Sequence, residues 1–171
     1  MQSTVVTIRQ AQASEAERLA EIAYLAWDRD LRPFLAGEQA SQKGEKRRLN
    51  IAVHELLART IVAEIDDVPV GWCARARTRA YIPYLFVTPV LQNQGIGSLL
   101  LRRMESLLEL EGAETVQLDT LSDNVRTVNF YQHQGYRILA LKREGTSRRD
   151  PQINVRLEKR LSPFYGQVDD H

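Results

Sequence analysis

The stretch VTPVLQNQGIGSLLLRRM, Val87 to Met104, constrains this chain more than any other. It reads as the end of a strand, a polar turn with glycines at 95 and 97, and then a helix. The apolar stripe of that helix is Ile96, Leu99, Leu100, Met104, Leu107 and Leu108, and it ends near Gly112. A helix entered directly from a strand offers free backbone N–H groups and roughly half a unit of positive charge at the turn. Glycines there remove the Cβ atoms that would hold a bulky anion away. The stretch therefore suits a phosphate held by backbone, and the plainer alternative is a tight strand-to-helix turn. It is not a P-loop, because no Lys follows the second glycine, and Leu100 stands where a dinucleotide fingerprint needs its third glycine.

Around this stretch, strand and helix periods alternate along the whole chain, with no internal repeat. Val5 to Arg9 reads as a strand, and Ser14 is placed to cap a helix carrying Leu19, Ile22, Ala23 and Trp27. RPFLAGEQASQKGEK reads as a loop or broken helix, KGEKRR as a solvated helix start, and KRRLNIAVHELLAR as a second helix. TIVAEIDDVPVGWCARAR reads as a hairpin turning at Asp66 and Asp67. AYIPYLFV, rich in aromatic and β-branched residues, reads as a central strand with an irregularity at Pro83. TVQLDT is a buried strand, NVRTVNFYQHQG a short helix closed by Gly135, and YRILALKR with INVRLEKR a final strand pair. The expected fold is an α/β sandwich on a mixed sheet.

The 171 residues, 43% of them hydrophobic, fit one domain with a real core, over about 5–161, followed by a tail at 162–171. Lys and Arg number 23 against 22 Asp and Glu, so no global field marks a nucleic-acid binder. The single Cys73 cannot close an intramolecular disulfide, and three histidines with one cysteine, none spaced as a ligand set, argue against a metal site. No apolar run approaches the roughly 20 residues of a membrane span, and the amino terminus lacks a signal-peptide pattern. The expected setting is the cytoplasm, with no membrane partner.

Gln92-x-x-Gly95-x-Gly97 follows a strand ending FVTP, and SDNVRTVNFYQHQGYR follows about 30 residues later, with the spacing Asn-x-x-x-x-x-Phe-Tyr-x-x-x-Gly-Tyr from Asn124 to Tyr136. This pair of motifs resembles the GCN5-related N-acetyltransferase (GNAT) family, and the order of elements from about Val5 to about Leu161 is similar to it too. The resemblance implies a three-layer α/β/α sandwich whose mixed, mostly antiparallel central sheet splays at the cofactor site. It implies acetyl-CoA as cofactor, with the pyrophosphate cradled by Gln92, Asn93, Gln94, Gly95, Ile96, Gly97 and Ser98. It also implies that the backbones of Leu85, Phe86 and Val87 pair with pantetheine, that Asn124 hydrogen-bonds the cofactor, and that Tyr131 lies beside the thioester sulfur.

Acyl transfer from a thioester to an amine needs a neutral amine, a polarised carbonyl and a proton for the departing thiolate. A tyrosine of pKa about 10 can protonate a thiolate whose thiol has pKa about 8.5, and Tyr131 is the expected acid; the competing reading is a packing pair with Phe130. Many members of the family carry a Glu or Asp on the strand before the glycine turn, and AYIPYLFV has none. Asp119 and Glu64 are the candidate bases, with a turn-capping role for Asp119 the alternative. Tyr81 and Tyr84 are placed to order a water chain or to line the acceptor pocket. Trp27 and Phe34, with Tyr24, flank the loop that often shapes the acceptor site in this family. Arg75, Arg77 and Arg79 would share one strand face, and His133 reads as a surface residue.

The expectation is therefore an acetyl-CoA-dependent N-acetyltransferase acting on a small-molecule or peptide amine by direct transfer in a ternary complex. A non-catalytic acyl-CoA-binding module is the alternative, and a nicotinamide enzyme a more distant one. The final strand pair and the tail are candidates for a homodimer contact.

Overall fold

The computed structural model describes residues 4–144 and 152–161; the tail at 162–171, and any dimer contact expected of it, lie outside the described residues. Strand β1 (Thr7–Gln10) leads into helix α1 (Ala16–Asp30), and two 3-10 turns connect to α2 (Gln42–Leu56). The hairpin β2 (Thr60–Ile65) and β3 (Val68–Ala74) precedes β4 (Tyr84–Val87), α3 (Ile96–Leu110), β5 (Thr115–Leu121) and α4 (Val125–His133). Strands β6 (Arg137–Glu144) and β7 (Gln152–Arg160) complete it.

The strands order as β1-β2-β3-β4 and β5-β7-β6, antiparallel throughout, and a single parallel bridge between Tyr81 and Gln117 joins the two halves. Ile82 N donates to Gln117 O at 3.0 Å, and Gln117 N donates to Ala80 O at 3.0 Å. The next donor of such a parallel ladder would be Tyr84 N, but from Tyr84 on β4 pairs with β3 while β5 pairs with β7. The sheet thus parts between β4 and β5.

Helices cover both faces. Leu19, Ile22, Leu49 and Val53 pack with Val62 and Trp72 on one face, where Trp72 Nε1 donates to Leu19 O at 2.8 Å. Ile96, Leu100, Leu101, Met104 and Leu108 pack with Ile61, Cys73, Val116, Leu118 and Leu157 on the other. The result is the three-layer sandwich, its two cores separated by the sheet. Gly71 lets β4 and α3 close on β3, since a Cβ there would meet Phe86 O at 2.8 Å and Leu100 Cδ1 at 3.2 Å.

Several local expectations need correction. Ser14 does not cap α1; it sits in a 3-10 turn at Ala13–Glu15, where Gln12 N donates to the Glu15 carboxylate at 3.0 Å. Arg75, Arg77 and Arg79 lie past the end of β3, so they share no strand face. Arg75 pairs with Glu111 and Arg79 stacks over Tyr81, 4.3 Å from the ring centroid. Leu99, placed on the core stripe of α3, is 37% exposed, and Leu101 takes its place in the core. The hairpin turn does fall at Asp66 and Asp67, both with positive φ (50° and 65°), the geometry of a two-residue turn matched to strand twist.

Candidate active site

The gap between β4 and β5 opens into a cleft of about 990 Å³, at the upper end of the roughly 300–1,000 Å³ usual for ligand sites. Its floor is β4. Thr88 N donates to Val70 O at 2.8 Å, so by the alternation of an antiparallel pair Phe86 and Tyr84 also turn their backbone groups to β3. Leu85 and Val87 turn theirs the other way, to the free edge. Val87 O accepts from Gln92 Nε2 at 3.1 Å, leaving the N–H of Val87 and both groups of Leu85 unmet among the described residues. Phe86 therefore departs from the expectation of a free backbone: its N–H and C=O face β3, and its ring packs 5.4 Å from Trp72.

The end of the cleft is the glycine turn. Asn93 has φ 63° and Gly95 φ 85°, so the chain reverses through two left-handed residues before α3 begins. Gly95 has no side chain to cap α3, and the first in-helix bond runs from Leu99 N to Gly95 O at 3.1 Å. The N–H groups of Ile96, Gly97 and Ser98 thus have no acceptor among the described residues. Gln92 braces the turn through Asp30, its Nε2 donating to Oδ2 at 2.9 Å. Gln92, Asn93, Gly95, Ile96, Gly97 and Ser98 all line the cleft, and Gln94 alone of the expected cradle does not.

The wall opposite comes from α4. Asn124 is 6% exposed, and its Oδ1 accepts from Thr127 N at 3.3 Å as the helix cap, which leaves its amide N–H groups as the part able to meet a ligand. Tyr131 lines the cleft at 8% exposure, and no group among the described residues bonds its hydroxyl. Its ring stands edge-on to Phe130 at 5.1 Å and to Tyr136 at 5.6 Å. Burial, and then the neighbouring Cys73 and Tyr81, push its phenol above the usual tyrosine value, so it keeps its proton at neutral pH.

The two carboxylates expected as bases are otherwise engaged. Asp119 lines the cleft, but Arg156 grips it with two bonds of 2.9 Å and Tyr81 donates to it at 2.8 Å. Burial alone would push that carboxyl up; Arg156 and Tyr81 outweigh it and hold it below the usual carboxylate range. A carboxylate so held is a weak proton acceptor. Glu64 is not among the cleft residues at all: it lies on β2 opposite Thr7 and accepts from Arg9 Nε at 2.8 Å. Tyr81, expected beside the acceptor, also lies outside the lining and serves the Asp119 pair instead. Trp27, Phe34 and Tyr84 do line the cleft.

Sequence reasoning missed Glu45, Arg29, Asp30 and Arg126, all of which line the cleft. Glu45 left a signal: it precedes Leu49 and Val53 by four and eight residues, and both are buried, so it occupies the inward face of α2. Among the described residues no group of His, Cys, Asp and Glu could hold a metal ion, and no helix is long and apolar enough to cross a membrane.

A splayed sheet whose gap is lined by a free strand edge and an uncapped helix end offers backbone groups to an extended ligand and N–H donors to an anion. The chain belongs to the acetyltransferase (GNAT) family, whose model matches residues 19–136; acetyl-CoA is the cosubstrate of that family. Its fold is similar to that of a GCN5-related N-acetyltransferase (aminotransferase, class-II) from Rhodopseudomonas palustris, at a TM-score of 0.74 and 20% identity over 94% of this chain and 98% of that one. It is similar also to yncA of Salmonella typhimurium, whose structure holds its cofactor acetyl-CoA, at 0.70 and 18% over 95% and 98%. By sequence it resembles the uncharacterised Bacillus subtilis (strain 168) protein YxbD, 37% identical over 49 residues, 29% of this chain and 31% of that protein. The match thus spans about a third of that relative's length.

Proposed function

We propose that the chain transfers an acetyl group from acetyl-CoA to a primary amine, directly, with both reactants bound together. One observation carries the reading: three free N–H groups at the start of α3, an unpaired edge on β4 and the Tyr131 hydroxyl share one cleft. These residues fit coenzyme A. The N–H groups of Ile96, Gly97 and Ser98, with the turn at Gln92–Gly95, suit a pyrophosphate. The N–H and C=O of Leu85 and the N–H of Val87 suit the amides of a pantetheine arm, added as a strand is added to a sheet edge. Asn124 has amide donors left to steady it. Bound acetyl-CoA supplies the activated acyl group; the remaining work falls to the protein.

Tyr131 holds a proton beside the place where a thiolate would leave and gives it up there. A phenol whose value is raised by burial still donates to a thiolate formed next to it, because the same burial raises the proton affinity of that thiolate. The floor strand β4 carries no carboxylate, Asp119 is held by Arg156 and Glu64 lies outside the cleft, so none of these takes the proton of the amine. In this reading the amine is drawn from its neutral fraction, or passes its proton to water.

The lack of a carboxylate on β4 also favours a second reading, an acyl-CoA-binding module without catalysis. The two part on one assay. An enzyme releases thiol from acetyl-CoA when amine is added, and Tyr131→Phe slows that release about a hundredfold, the lower end of a general acid's usual contribution, while acetyl-CoA still binds. A binding module takes up acetyl-CoA and releases no thiol with any amine.

A further inference from the structure

The cleft passes through the sheet, and its two mouths differ. Side chains alternate along β4, so Leu85 and Val87 pack on the α3 side with Tyr131, while Tyr84 and Phe86 pack on the α1 and α2 side. The α3 side holds the glycine turn. The α1 and α2 side holds Trp27, Phe34, Tyr84 and Phe86, with Glu45 reaching in from the first turn of α2. If one reactant lies along the glycine turn and the free edge of β4, the second reaches the splay from the other face.

That second mouth has a definite chemistry. Its walls are aromatic, and Phe34 is 47% exposed, large for a ring with no partner in the core. Glu45 keeps 15% of its side chain exposed. Arg48 binds only one of its oxygens: Nε and a terminal nitrogen reach Oε2 at 2.8 and 2.7 Å, while Oε1 has no partner among the described residues. Arg48 is itself 55% exposed and does not line the cleft, so its pairing with Glu45 is weak. Of the other charges on this mouth, Arg29 donates to Pro89 O at 3.0 Å and lies 3.4 Å from Asp30, and Asp30 accepts from Gln92. Lys46 sits over the Tyr24 ring, 4.6 Å from its centroid, outside the lining.

We infer that Glu45 receives the ammonium group of the acceptor, which gives up one proton to water before its nitrogen attacks, and that Trp27, Phe34 and Tyr84 hold an apolar or aromatic body attached to it. This rests on the acetyltransferase reading above and narrows it: the acceptor is a small cationic amine with an apolar body, not an amino acid or another amine bearing its own carboxylate. A cation here gains a carboxylate oxygen and the faces of aromatic rings together. An anionic group beside the amine would meet Glu45 with like charge.

Phenethylamine and phenylalanine share one body and differ by a carboxylate, which makes them the probes. Thiol release from acetyl-CoA should proceed with phenethylamine and be at least about tenfold less efficient with phenylalanine. Glu45→Gln should raise KM for phenethylamine about tenfold, as expected for loss of a charged hydrogen bond, with a smaller change in kcat and an unchanged Kd for acetyl-CoA by calorimetry. Phe34→Ala should raise KM for phenethylamine as well, and thermal melting of both variants establishes that they fold. An unchanged KM in Glu45→Gln, a preference for phenylalanine, or no turnover of phenethylamine by a protein that binds acetyl-CoA would each overturn the assignment of Glu45. Failure to bind acetyl-CoA would instead strike the proposed function itself.

Discussion

Helices α2 and α3 have the same length and begin in opposite ways. At α2, Ser41 caps the end and its Oγ accepts from Gly44 N at 3.1 Å. At α3, Gly95 stands in the capping place with nothing to offer, and the helix end opens into the cleft. An unmet set of N–H donors costs stability unless water or a ligand receives it. The capped end therefore serves the fold, and in the function proposed above the uncapped end serves the ligand.

This contrast can be broken at either helix. The largest effect is expected at Gly95→Val: a β-branched residue at φ 85° is strained wherever there is space, so the turn must shift. Acetyl-CoA affinity should fall by more than about tenfold, together with a lower melting temperature. Gly97→Val sharpens the test. A Cβ at Gly97 meets only Phe130 and Val87 at 3.7 and 3.8 Å, so the fold should tolerate it, while its branches crowd the face offered to the ligand. Calorimetry should show weakened acetyl-CoA binding with the melting temperature near that of the wild type. Ser41→Ala is the reciprocal and the smallest change: it should cost about 1 kcal/mol of stability and leave the Kd for acetyl-CoA unaltered.

The pH profile probes the same cleft from the side of chemistry. Burial raises the Tyr131 phenol above its usual value, so its protonated form, the one that donates, persists through the alkaline range below about pH 10. The neutral fraction of an amine of pKa near 10.4 grows about tenfold per pH unit below that value. Activity with a simple amine should accordingly rise between about pH 7 and 9, with no downturn from Tyr131. A bell closing at about pH 8 would mean that some other group supplies the proton.

The parts legible in the sequence are those whose chemistry fixes residue type and spacing locally. Two glycines at the passage from a strand to a helix, and a short helix capped by Asn124, carrying Phe130 and Tyr131 and followed by Gly135, mark the family before any contact is known. The fate of the carboxylates was not legible, because distant partners decide it. Arg156, which holds Asp119, lies 37 residues on, and Arg9, which holds Glu64, comes 55 residues earlier. Neighbouring letters could not tell a free base from an occupied one. Phe86 shows a subtler limit: its strand is recognisable, but which edge its N–H faces depends on the register between β3 and β4. Glu45 was readable in principle, by its step to Leu49 and Val53, yet the run KGEKRR disguises it as a solvated helix start.

A calorimetric titration of the protein with acetyl-CoA tests the role of the α3 end most directly. Saturable binding of one acetyl-CoA per chain, weakened in Gly97→Val at unchanged melting temperature, is the expected result. No saturable binding, or equal affinity in that variant, would mean that the glycine turn is only a turn and that the donors at the start of α3 serve no ligand.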